Sequence, residues 1–209
     1  MATSVETICN MALLHLGTGA AIDDINEASS EASACRVYYD QCLDELLAIA
    51  DWPWATKYVS LGLVAEEPNG EWDFEYRIPV DSITVRRIIP AGGYTGASLP
   101  FERSLDASGG LIWTDVADAV MEYTARAVNV AYFPPLFTAA LAWKIAENIA
   151  EPISANSDRA AYARQMAERS TIAALGADGN ATRQKDSLVP AWIAVRGSTG
   201  DADYRGWRE

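Results

Sequence analysis

The apolar residues of this chain recur at one period, switch to a second and switch back. That change limits the folds open to it. Near both ends the spacing is three and four, as in a helix with one buried stripe. Between residues 57 and 128 it falls to two, as in a half-buried strand. Val5, Ile8, Ala12 and Leu16 define the first helical stripe, widened by Cys9 and Leu13. Thr3-x-x-Glu6 has capping-box spacing for its start, and Gly17 and Gly19 are its stop. Cys35, Tyr39, Cys42, Leu46 and Ile49 mark the second helix. Ser29 or Ser30 opens it, Glu31 suits its first turn, and Pro53 within Trp52-Pro53-Trp54 ends it.

The period-two region begins with Tyr58–Val64 and turns at Pro68-Asn69-Gly70. Trp72, Phe74, Tyr76 and Ile78 then alternate with charged residues up to Pro79, giving a sheet an aromatic inner face. Ile83–Val85 and Ile88-Ile89, then Phe101–Leu105, Leu111–Thr114 and Ala119–Val128, are further strands, with a hairpin signal at Ser108-Gly109-Gly110. Helix returns at Pro134-Pro135, with Phe137, Leu141, Ile145 and Ile149 on one face and Pro152 as its end. Asn156 or Ser157 caps a last, alanine-rich helix that stops at Gly176.

These elements predict an α+β fold: a four-helix bundle with an inserted small antiparallel β module and an extended C-terminal tail. Residues 1–56 plus 134–176 form the bundle, 57–133 the β lobe and 177–209 the tail. Each helix has one stripe to bury, and neither pair makes an adequate core alone.

Charge narrows the partners. The chain holds 29 Asp and Glu against 16 Lys and Arg, a net charge of -13. Residues 1–51 carry one basic and nine acidic groups, whereas residues 183–209 carry five and four. Such acidity excludes a surface that coats nucleic acid or docks on anionic lipid, because both require cations. It leaves room for a wall that nucleic acid slides past without sticking. No run of about 18 apolar residues predicts a membrane span, and Met1–Glu6 has no signal-peptide character.

Residue types that carry chemistry are sparse. Cys9, Cys35 and Cys42 fit neither a disulfide framework nor a zinc knuckle and read as small buried hydrophobes of a protein made in a reducing cytoplasm. His15, the single histidine, ends an apolar stripe and reads as structural. No phosphate loop, HExxH, EF-hand or nucleophile elbow is present, so no cofactor or metal is expected. Asp44-Glu45 and Asp23-Asp24-Glu27 are the acidic groups open to glycoside hydrolysis, but neighbouring helical carboxylates point apart and cannot flank one bond. Trp52 and Trp54 are placed to plug the junction between bundle and β lobe. Trp192 and Trp207 lie in the aperiodic tail, where a tryptophan either folds back or docks in a partner's pocket.

Several stretches, in order, resemble the head-to-tail adaptor family of short-tailed phages, also called tail tubular protein A or tail accessory factor. They are Ile8–Gly17, Ser30-x-x-x-Ala34-Cys35-x-x-x-Tyr39-x-x-x-Leu43-Asp44-Glu45-Leu46-Leu47 leading into Trp52-Pro53-Trp54-Ala55, Trp72–Pro79 with Asp81, and Tyr132–Phe137. The likeness spans residues 4–175. It implies a structural virion protein, not an enzyme, that forms a twelve-fold ring beneath the portal. Such a ring extends the channel for double-stranded DNA and offers a platform to the tail nozzle or fibres. Within that picture Leu188, Val189, Trp192, Ile193, Val195 and Trp207 are the portal-docking residues, and Asp23, Asp24 and Glu27 line the channel. The competing readings are a small cell-wall polysaccharide hydrolase using an acidic pair and a generic interaction module.

Overall fold

The computed structural model describes residues 4–92, 99–126, 129–154 and 156–181. Helix α1 (Val5–His15) begins at Ser4, whose hydroxyl accepts from the Thr7 N–H at 3.2 Å. Thr3, expected in that role, lies outside the described residues. Gly17 stops α1 with φ +66°. Its N–H reaches the Leu14 carbonyl at 2.9 Å and the Thr18 N–H reaches Leu13 at 3.3 Å, the paired bonds of a glycine-terminated helix. Helix α2 (Ser30–Ile49) is capped by Ser29, which accepts from the Ala32 N–H at 3.1 Å.

Among the described residues seven strands follow: β1 (Thr56–Ser60), β2 (Gly62–Glu66), β3 (Phe74–Arg77), β4 (Ser82–Pro90), β5 (Glu102–Asp106), β6 (Gly109–Thr114) and β7 (Ala119–Ala125). They form two antiparallel sheets, ordered β1-β7-β4 and β2-β3-β6-β5. The run expected as one strand, Tyr58–Val64, divides at Leu61 and feeds both sheets. Tyr76 and Ile112 of one sheet pack with Val85, Ile88, Met121 and Tyr123 of the other, so the two sheets enclose a core of their own. The β5–β6 hairpin closes with Asp106 opposite Gly109, and Gly109 takes the φ of +134° that the tight turn needs.

Helix α3 (Pro135–Ser154) runs two residues past Pro152, which was expected to end it. So close to the terminus, the proline removes only one ladder bond. Helix α4 (Ser157–Ala181) is capped by Asn156, which accepts from the Asp158 and Arg159 N–H groups at 2.9 and 3.2 Å. It continues through Gly176 rather than stopping there. A glycine inside a helix costs only about 1 kcal/mol, which does not stop α4.

The α+β class holds, but the four-helix bundle and the small β module do not. Helix α3 is a hub: α1, α2 and α4 each pack on it, while α1 and α2 touch only slightly. Helices α2 and α4 leave a cleft between them, lined by Leu46, Ile49, Lys144, Ala167, Thr171 and Ile172. In a bundle that seam would be closed. The reason lies in α4, whose buried residues Ala163, Ala167 and Ala174 are all alanine. A stripe that narrow covers one neighbour, not two. The β region is a two-sheet unit with its own core, which explains why it outgrows an insertion.

Two arginines join helices to the rest by capping their C-termini. Arg86 of β4 donates to the carbonyls of Ala50 and, at 3.4 Å, Leu47 at the end of α2; it also meets Thr124 at 2.9 Å and Asp51 at 2.5 Å. Arg159 of α4 donates to the Leu16 carbonyl at the end of α1. Cations at these ends satisfy orphan carbonyls and complement the helix dipole. Arg126, just after β7, adds an ion pair with Asp44 at 2.8 Å.

Candidate functional site

Where α2 gives way to β1, the chain turns through Trp52-Pro53-Trp54. Proline forbids further helix, and residues 53–55 form a single 3-10 turn. A second aromatic turn, Tyr132–Phe137, leads into α3 and lies against the first. Phe137 sits edge-on to Trp52, Trp54 and Phe133, with ring centres 5.1, 4.7 and 5.2 Å away. Such edge contacts suit the aromatic quadrupole. Trp52 is buried and donates its indole N–H to the Leu46 carbonyl at 2.8 Å. The indole N–H of Trp54 is buried without an acceptor among the described residues.

These residues form the walls of an open cleft of about 400 Å³, lined by Trp52, Pro53, Trp54, Pro135, Leu136, Phe137, Ala174, Ala177 and Asp178. The last three belong to the closing turns of α4. The walls are nearly all apolar, and burial raises the Asp178 carboxyl above its ordinary range. The cleft offers hydrophobic surface for an apolar guest and little for acid–base chemistry. Of the tryptophans expected to plug the junction between bundle and β lobe, Trp52 is buried in the helical core and Trp54 is half-buried on the cleft wall. Sequence reading placed Trp52 and Trp54 at a helix break and Pro134–Phe137 at a helix start, but did not join them. Their shared aromatic density was the available signal.

The acidic loop between α1 and α2 exposes Asp23 and Asp24. Glu27 is half-buried and serves the loop itself: it accepts from the Ser29 hydroxyl at 2.6 Å and from the Asp23 N–H at 3.2 Å. The Ser29 bond leads in holding its carboxyl below the ordinary range. The loop is pinned by Asn10 of α1, which bonds both backbone groups of Ile22. The proposed docking residues Leu188, Val189, Trp192, Ile193, Val195 and Trp207 lie outside the described residues.

The other groups with possible chemistry have structural surroundings. Asp44 pairs with Arg126, while Glu45 faces Lys144 at 3.4 Å and Gln41 at 3.0 Å, so the two carboxylates diverge. The three cysteines are free and buried. The contact with Cys35, with burial, pushes the Cys9 thiol up, and burial pushes Cys42 up to about 12. His15 stacks on Trp143 at 3.7 Å, and burial lowers its basicity. Among the described residues, no group of three His, Cys, Asp or Glu side chains suits a metal ion, and no helix is long and apolar enough to cross a membrane.

Comparison of the sequence with protein-family models finds no family that matches, and comparison with curated proteins finds no relative.

Proposed function

We propose that this chain is a ring-forming head-to-tail adaptor of a short-tailed phage virion. Copies assemble beneath the portal in a twelve-fold ring, extend the DNA channel, and carry the tail nozzle or fibres. The observation that supports this most is the convergence of two stretches behind the family resemblance. Trp52-Pro53-Trp54 and Tyr132–Phe137 are far apart in sequence, yet they build one apolar cleft at the root of the C-terminal tail. A third stretch is also built into the fold. Tyr76 is buried with its hydroxyl on the Val116 carbonyl at 2.8 Å, and Asp81 holds Lys57 at 2.8 Å and Tyr123 at 3.1 Å.

The charge distribution agrees with a duct, since carboxylates facing a lumen repel phosphate and keep DNA from adhering. The exposed Asp23 and Asp24 are the proposed lining, with Glu27 organising their loop. The tail brings Leu188, Val189, Trp192, Ile193, Val195 and Trp207 to the portal. The reading is tested with DNA-filled heads that lack this protein. Added protein is expected to bind them and make them competent to accept tail components. Heads that ignore the protein and acquire tails without it would overturn the proposal.

A further inference from the structure

The apolar cleft raises the question of what covers it. Left to solvent, a space of about 400 Å³ would hold about a dozen waters against walls that bond almost none of them. Ala174, Ala177 and Asp178 of α4 form one side of the cleft, and α4 is described to Ala181. The tail therefore leaves from the lip of the cleft. Its first six residues, Thr182 to Ser187, are all polar. Then comes Leu188-Val189-Pro190-Ala191-Trp192-Ile193-Ala194-Val195, eight apolar residues in a row. The seven steps from Ala181 to Leu188 reach at most about 25 Å, enough to turn back on the cleft.

The chemistry of the two surfaces matches. Pro190 disfavours helix in this segment, and an extended chain offers free backbone carbonyls. Trp54 on the cleft wall has a buried indole N–H with no acceptor among the described residues.

We infer that the cleft is the seat of the chain's own Leu188–Val195 segment, with Trp192 set against Trp54, Leu136 and Ala177. This does not depend on the adaptor reading. If that reading holds as well, cleft and portal compete for one segment, and the tail is parked until the portal draws it out.

Hydrogen exchange on the full-length protein without partners tests the inference. Amides of residues 188–195 are expected to exchange at least tenfold slower than an unstructured chain. Leu136→Glu, on the exposed rim of the cleft, and Trp192→Ala are each expected to abolish that protection while the α3 amides stay protected. Absent protection in the unaltered protein, or protection that survives Leu136→Glu, would overturn the inference. A second variant, Ala177→Cys with Ala191→Cys, is expected to close a disulfide within the monomer on mild oxidation. A disulfide found only between two copies, or none, would equally overturn it. Portal binding enters neither readout, so failure here leaves the adaptor proposal to its own test.

Discussion

Removing the Arg86 guanidinium uncovers the carbonyls of Leu47 and Ala50 at the end of α2 and breaks the contact with Thr124. The side chain is only 16% exposed, so solvent does little to replace it. Hydrogen bonds to charged groups contribute about 1.5–3 kcal/mol. Arg86→Ala is therefore expected to cost about 2–3 kcal/mol in urea unfolding, with Arg86→Lys recovering part, because an ammonium lacks the fork that spans two carbonyls. Gly17 is constrained twice: by φ +66°, and by the Arg159 guanidinium 3.2 Å from where a Cβ would stand. Gly17→Ala should cost about 1–2 kcal/mol by the same measurement. The Arg77 fork on Asp106, at 2.6 and 2.8 Å, holds that carboxyl down at about 2, against an ordinary 3.8. A depressed carboxyl stabilises the fold above its ordinary value and loses that contribution as pH falls through the depressed one. The β lobe should thus weaken between about pH 4 and 2, and Asp106→Asn should flatten that part of an acid titration followed by tryptophan fluorescence. Gly17 is legible in sequence as a helix stop, but the arginine roles are not. Arg86, Arg126 and Arg159 sit in ordinary surroundings, and their partners come from distant parts of the chain.

At the scale of elements, local signals read well. Ser29 caps α2, Gly17 ends α1, Asn156 opens α4 and Gly109 turns the β5–β6 hairpin, because each acts on its own few residues. What a stripe packs against is not local. Four apolar stripes read as a bundle, yet the alanines of α4 suffice only for α3, and the second sheet exists because β1 and β2 part at Leu61. The α3–α4 contact depends on small residues. Ala163, 1% exposed, has no room for a larger group, so Ala163→Leu is expected to cost about 1–3 kcal/mol through overpacking. Hydrogen exchange should show the loss concentrated in α4 and α3, with the β lobe unaffected. Uniform loss over both units would mean that the two cores unfold as one.

At the scale of the whole molecule, acidity and aromatic richness are visible as composition, while the cleft assembled from two separate turns is not. Only the folded chain brings Trp54 beside Phe137. If Asp23 and Asp24 face a DNA channel, Asp23→Lys with Asp24→Lys should leave ring assembly intact and slow DNA exit from reconstituted particles; unchanged exit would move the lumen elsewhere. Assembly on a portal shows first as a change of mass. Native mass spectrometry of the protein alone, of the portal from the same particle, and of their mixture is expected to show one complex carrying a ring of twelve copies. A protein whose mass is unchanged by the portal, with no complex at any ratio, would contradict the account.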